Sequence, residues 1–488
     1  MQNTKSKYFN FILKYCISLC LIFSFSFIVN NIESIARSKK STKKNATSKK
    51  KTYKKKTYKK KTSKKTKTKS SFAKKGIVNF TIDTVNLIDY NDLKYYNLKF
   101  NRGKIHHSSH IIEINKTKFK DIEVIKAGNS VRDLRRLHSL LGIEDSSDNQ
   151  TDYFGGINTS FWRAYSNTPI GPTFINGEPI ELKSYKGWSS TFFDNQNTPY
   201  IGFFNIDATV KCDNLCEFTI NNINKRSDSS GVILYNSYYG DEIPYIAEQK
   251  IEKLLEETLS SFSDALELQD STEESFDIEQ FRKTQKEIEQ DKNIENDLIK
   301  LTCEYLDNPL INKDIKVRVI SKNRGVVSIP KNGFVISFGK DYPEDLVPRI
   351  GEMILLKYQT NIYSDILFKS SVSATPRLVT EGIAKHQAYE EGSKGRRFIS
   401  KDLPRTAIGY NEDKSKIYLV CVEATNDLGN RGVTLERLAS LMKLIGCYDA
   451  MNLDGGGSSN MIVESKNRAR KSSMFNSRKI SVAIGVKK

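Results

Sequence analysis

The sequence predicts an α+β chain: a mixed, largely antiparallel β core with a few packing helices and one helical insertion. Three observations lead there. Short runs rich in β-branched and aromatic residues, bounded by turn-forming residues, recur through most of the chain. One stretch, GVTLERLASLMKLIG at 432–446, has helical spacing with both ends marked. Another, 241–300, has almost no Gly or Pro and holds 18 acidic and 7 basic residues.

Taken in order, the chain begins with a targeting segment. Lys5, Lys7 and Lys14 precede the apolar run YCISLCLIFSFSFIV at 15–29, which is short for a spanning helix of about 20 residues. Ser34-Ile35-Ala36 then offers a small-x-small pattern for cleavage, so 1–36 is expected to be a signal peptide, with an uncleaved anchor as the alternative. Residues 37–75 hold 19 Lys and no acid, a composition that cannot bury a core and predicts disorder. Residues 1–75 carry a net +22 of the formal +20, which leaves −2 for the rest. The basicity is therefore a tail, suited to anionic cell-envelope polymers or lipid head groups in an exported protein. It equally suits an inert solvated spacer. The signal segment argues against a nucleic-acid binder.

Strand character appears at HIIEIN (110–115), FFNI (203–206), VILYN (232–236), IKVRVI (315–320), GFVISFG (333–339) and IYLVCVEA (417–424). Between them, Ile251, Leu254, Leu255, Leu259 and Phe262 recur at three- and four-residue spacing, which predicts amphipathic helices. The expected division is thus a body of 76–244 and 313–488 interrupted by an acidic helical lobe at 245–312. In the 432–446 helix Thr434 is the expected N-cap, Glu436 suits the positive end of the dipole, and Gly446 is the stop. Leu435, Leu438, Leu441, Met442 and Ile445 form its apolar stripe.

Several chemistries are excluded. There is no HExxH, no GxSxG elbow, and no Walker or dinucleotide fingerprint. The His-rich HHSSH at 106–110 reads as a polar turn rather than a metal site. Outside the signal segment five Cys remain, too few and odd in number for a disulfide scaffold. Cys212 and Cys216 are spaced for a small local bridge. No cofactor is called for, although a divalent cation stays open.

MNLDGGGSSN at 451–460 then raises a question, because Gly loses more backbone freedom on folding than any other residue. Asp-Gly between two apolar strands commonly marks a hairpin. Three Gly and two Ser exceed what a two-residue turn requires. The alternative is a backbone that something must approach closely.

These residues are similar to the phosphodiester glycosidases. The resemblance rests on TAIGYNEDKSKIYLVCVEATN, the helix that follows and YDAMNLDGGGSSNMIV, preceded in order by GGINTSFW (155–162), TPIGPTFINGEPI, NNINKRSDSSGVILYNSYYG (221–240) and RTAIGY (405–410). It implies hydrolysis of a sugar-1-phosphodiester by an exported protein acting on a surface or extracellular glycan. A non-catalytic binder of anionic surface polysaccharide is the alternative. Backbone N–H groups of Gly455, Gly456 and Gly457 would cradle the phosphate, Ser458 and Ser459 would add hydroxyl donors, and Arg405 a bidentate fork. Asp454 is the first candidate to stabilise the cation-like anomeric centre and Glu423 the second. Asn158 would orient a sugar hydroxyl, with Asn224 and Arg478 as further substrate contacts. The chain departs from the family's pattern at Thr159-Ser160, at Glu423-Ala424 and around Arg478.

Overall fold

The computed structural model describes residues 80–488 apart from 91, 103–104, 117–120, 144–150, 165, 213–215, 227, 245–293, 424–431 and 470–476. The signal segment, the Lys-rich tail and most of the acidic stretch lie outside the described residues. Strands dominate the remainder, in two eight-stranded sheets, two five-stranded sheets and a two-stranded ladder. Among the described strand pairs, Asn222–Ile223 with Ile233–Asn236 is the parallel one and the rest are antiparallel. The largely antiparallel β core is therefore as expected, with helices few and short.

The first eight-stranded sheet carries the site. Its order in space is Phe80–Tyr90, Leu93–Arg102, Ile105–Asn115, Lys416–Val422, Arg405–Tyr410, Asp449–Asn452, Arg377–Thr380 and Ile383–Ala384. Both faces are covered, so its central strands are continuous apolar runs instead of alternating ones. Every residue of Arg405–Tyr410 is buried. One face packs the helix Leu435–Leu444 through Leu435, Leu438, Leu441 and Met442. The other packs Ile112, Ile114, Leu419 and Met451 against Phe154, Ile157, Phe193 and Ile484 of the two five-stranded sheets.

The helix follows its sequence signals closely. The Thr434 side chain accepts a hydrogen bond from Arg437 N at 3.3 Å, and Gly446 adopts φ +103° just past the end. The Asn176-Gly177 pair also does what its residue types allow. Both have positive φ, 49° and 82°, in a two-residue hairpin joining Thr173–Ile175 to Glu178–Glu181.

Three expectations are corrected. Phe203–Asn205 is a connection, and the strand begins at Ile206. HHSSH is not a turn: it continues HIIEIN as the single strand Ile105–Asn115. Third, the lobe cannot extend to 312. Lys300–Tyr305 is an inner strand of the second eight-stranded sheet, between Asp314–Asn323 and Gly333–Ser337. Its residues at 300, 301, 303 and 305 are buried, which the acidic composition of the preceding stretch concealed. Cys212 and Cys216 form the local disulfide, and Cys303, Cys421 and Cys447 are buried thiols.

The chain re-enters this sheet at a fully buried charge cluster. Glu295 Oε1 accepts from Arg226 Nε at 2.5 Å and from the Tyr235 hydroxyl at 2.7 Å, while Oε2 accepts from Ser337 Oγ at 2.6 Å. Lys300 Nζ lies 3.9 Å from Oε2. Glu295→Gln keeps the shape but leaves two buried cations without their counter-charge. The expected loss is about 3–5 kcal/mol of unfolding free energy, read from guanidinium melts of the two proteins.

Candidate active site

Strand register decides which residues meet. Arg405 lies opposite Val422, and Ala407 lies opposite Asn452, in the two ladders flanking Arg405–Tyr410. Leu453 N donates to Thr406 O at 2.8 Å, extending the second ladder. Arg405 at the start of one strand, Glu423 just past the next and Asp454 just past the third therefore leave the sheet at the same end. Glu423 N donates to Ser108 O at 3.1 Å, which adds the His-containing strand to that end.

The DGGGSS run is not a hairpin. Asp449–Asn452 pairs within the first sheet, whereas Met461–Val463 pairs with Tyr153–Asn158 and Lys466–Asn467 in a different one. The run carries the chain between two sheets. Asn158, at the end of its strand and fully buried, ties the crossing down. Its Nδ2 donates to Asp454 O at 2.7 Å, and its Oδ1 accepts from Asn460 N and Thr406 Oγ1, each at 2.9 Å. Asp454 N donates to Thr159 O at 2.7 Å. The Asp454 carboxylate is itself held, since Oδ1 accepts from Gly455 N at 2.8 Å.

The glycines answer to this crossing. A Cβ on Gly455 would lie 3.0 Å from Pro404 O, and Gly456 has φ +59° while its N–H donates to that same carbonyl at 3.0 Å. Gly456→Ala is expected to cost about 1–2 kcal/mol for the left-handed backbone, and Gly456→Asn less, because Asn visits that region more readily. Urea denaturation of both variants checks the order.

At Gly455 and Gly456 this geometry corrects the expected phosphate cradle. The N–H groups of Gly455, Ser458 and Ser459 are engaged inside the segment, by Asp454 Oδ1, Gly455 O and Gly456 O, and that of Gly456 by Pro404 O just ahead of the neighbouring strand. What the segment offers instead is side chains. Ser458 Oγ, Ser160 Oγ and both amide atoms of Asn460 are buried without a protein partner. Buried polar atoms are normally satisfied, and each one left alone costs about 1–3 kcal/mol. Four of them lie on the two segments that Asn158 joins.

Arg405 is also different from expectation. Its side chain is buried, with Nε donating to Val433 O at 3.1 Å and Nη2 to Phe398 O at 2.5 Å. Nη2 therefore ties down the short helix Arg396–Ser400 and Nε the chain just ahead of the helix Leu435–Leu444, instead of the two presenting a free fork. Burial pushes its pKa down to about 9, which still leaves it charged at neutral pH. Arg478 lies with its guanidinium carbon 5.1 Å from the Trp162 ring, which brings it to the segment that follows Asn158. Asn224 belongs elsewhere. It has φ +53° and exchanges hydrogen bonds with Asn236 in the second eight-stranded sheet, where it shapes a turn.

Glu423 gains a partner that the sequence did not reveal. His110 Nε2 lies 3.5 Å from Glu423 Oε2, and the Tyr95 hydroxyl is 2.9 Å from His110 Nδ1. Asn97 Nδ2 also lies against the same ring, 3.2 Å from Nδ1 and 3.3 Å from Nε2. The alternation of HHSSH into HIIEIN was the available signal, because a strand through the cluster puts His110 and Ile112 on one face. His107 points the other way, stacked on Phe100 at 4.8 Å. Among the described residues no group of three His, Cys, Asp or Glu side chains is placed to hold a metal ion.

Comparison with known proteins agrees with the motifs. Residues 315–487 match the phosphodiester glycosidase family, a family of hydrolases. That span contains Arg405, Glu423 and the entire DGGGSS segment. Among solved structures, a hypothetical protein from Synechocystis has a TM-score of 0.54 at 16% identity, covering 82% of this chain and 63% of that one. This shows a shared fold, and the chain spans under two thirds of that protein's length. A protein of Burkholderia pseudomallei K96243 described as exported has a TM-score of 0.49 at 13% identity, covering 79% of this chain and 74% of that one. The catalytic domain of zebrafish N-acetylglucosamine-1-phosphodiester α-N-acetylglucosaminidase has a TM-score of 0.37 at 12% identity, covering 85% of each. No curated protein matches the chain.

Proposed function

We propose that the protein is an exported, cell-envelope hydrolase that cleaves a sugar-1-phosphodiester in a surface or extracellular glycan. The observation that carries this reading is the convergence of Asp454 and Glu423 with the unpartnered hydroxyl of Ser458 and amide of Asn460 at one end of the sheet. A glycosyl phosphodiester has one negative charge and an anomeric carbon that becomes cation-like as its bond to oxygen breaks. Asp454, pinned by Gly455 N and Asn158, stabilises that positive charge without having to reorganise. Glu423, faced by His110, transfers the proton that the leaving phosphate or the attacking water requires. Ser458 Oγ and Asn460 Nδ2 donate to the phosphate oxygens, with Arg478 supplying positive charge beside them. No cofactor enters this scheme.

The test is release of free sugar from a panel of sugar-1-phosphodiesters by the purified protein. Release from at least one member is expected. Binding of phosphodiesters with no release from any would assign the site to a non-catalytic polysaccharide binder.

The tail completes the reading. Residues 37–75 supply the attraction to anionic envelope polymers, because the remainder of the chain is close to neutral. Deleting them should weaken retention on isolated cell-wall material in low salt and leave turnover of a small soluble substrate unaltered. Equal retention with and without the tail would count against an anchoring role.

A further inference from the structure

A set of half-buried aromatic rings, each in contact with the next, connects to the Asp454 segment. A Cβ on Gly455 would lie 3.9 Å from Arg405 Cδ, and the Arg405 guanidinium carbon is 5.3 Å from the Phe398 ring. Phe398 lies 6.1 Å from Phe161, Phe161 5.3 Å from Trp188, and Trp188 5.0 Å from Tyr185, measured between centroids. None of these four rings is in the buried core, although each has its neighbours fixed. The Phe398–Phe161 and Trp188–Tyr185 pairs are edge-to-face, at 72° and 86°. Such a contact occupies one ring's edge, and on Tyr185 one face is met by Lys186 Nζ, 4.9 Å from the centroid. The Trp188 indole N–H has no protein partner.

The set is also held rigid. Next to Trp188, Ser189 donates from its N and Oγ to the Glu391 carboxylate, at 3.3 and 2.8 Å, and Arg377 N donates to the same carboxylate at 2.7 Å. A Cβ on Gly187 would approach the backbone at Glu390 and Glu391 to 3.3 Å. The loop bearing Tyr185 and Trp188 is therefore seated closely against the 387–391 segment.

We propose that Phe161, Trp188 and Tyr185 are a stacking platform for the uncharged pyranose rings of a glycan chain whose phosphodiester end lies at Asp454. This rests on the reading of that end as a glycosidic site. Pyranose rings present flat faces of C–H groups, which are weakly positive and match the negative π face of an aromatic ring. The platform is linked to the reaction centre through Phe398 and Arg405, a separation that fits the second and later sugars of a polymer rather than the sugar being released. The substrate class is thereby an oligo- or polysaccharide phosphodiester instead of a single phosphorylated sugar. Binding energy from those remote rings is available to orient the reacting bond.

The chain has two tryptophans, so Trp162→Phe in the full chain leaves Trp188 as the sole indole reporter. Fluorescence titration would use chitotetraose, maltotetraose and cellotetraose, each beside its monosaccharide, with anionic phospholipid vesicles as a further probe. At least one tetrasaccharide should shift the Trp188 emission and bind about tenfold more tightly than its monosaccharide, and Tyr185→Ala should remove about that factor. Calorimetry of the same tetrasaccharide on the otherwise native chain and on Tyr185→Ala repeats the comparison independently of Trp162. No shift with any tetrasaccharide, an unchanged affinity in Tyr185→Ala, or a shift with vesicles alone would overturn the platform. Hydrolysis without such binding overturns the platform only, whereas tetrasaccharide binding without hydrolysis of any phosphodiester overturns the catalytic reading only.

Discussion

Asp454→Asn should lower kcat/KM by at least about a thousandfold, roughly 4 kcal/mol of lost transition-state stabilisation, while the protein stays folded. The substitution keeps size and keeps an oxygen able to accept from Gly455 N, the bond that fixes the Asp454 side chain. What it removes is the negative charge, in a place where Asp454 is 4% exposed and water screens little. A structural role for Asp454 makes a different forecast, since Asn suits irregular backbone as well as Asp does. In that case turnover would stay near the native value. Steady-state kinetics alongside a thermal melt separate the two outcomes.

Asn158→Leu should affect stability and turnover together. Asn158 is fully buried and its amide ties both ends of the 454–460 run, through Asp454 O and Asn460 N, to the neighbouring strand through Thr406 Oγ1. Leu has a similar volume but satisfies none of them. Leaving three buried polar groups unpaired costs about 1–3 kcal/mol each before relaxation, so a net loss of about 3–5 kcal/mol is expected in guanidinium melts. Any folded protein that remains should turn over at least about a hundredfold more slowly, because the Asp454 backbone is no longer held. Asn158→Asp retains the acceptor side and loses the donor to Asp454 O, so it should fall between the two. Native-like melts for Asn158→Leu would show that the two sheets are joined mainly by packing.

The contrast between Asp454 and Arg405 shows how much of this site was legible beforehand. The DGGGSS run announced itself by composition, since nothing in a two-residue turn requires three glycines. Two of the reasons for them, the Pro404 carbonyl beside Gly455 and the positive φ of Gly456, depend on a neighbouring strand that local pattern does not specify. Arg405 was recognisable as important, yet its orientation was not. An Arg at a strand start can face a ligand or clamp a helix, and here two nitrogens hold the carbonyls of Val433 and Phe398. Asn224 illustrates the same limit, because its turn lies in a sheet whose strands are far apart in sequence. The helix at 435–444 was read correctly, cap and stop included, because its signals are local. His110 was missed because five polar residues conceal the alternation of a strand. Phe161 and Trp188 are 27 positions apart, and only the fold makes them neighbours.

The central claim is that the bond broken is the one between the anomeric carbon and its oxygen. Hydrolysis of a reactive sugar-1-phosphodiester in water enriched in oxygen-18, followed by mass spectrometry of both products, tests it directly. Label in the released sugar, with none in the phosphomonoester, is the expected result. Label in the phosphomonoester, with the sugar phosphate bond broken at phosphorus, would contradict it.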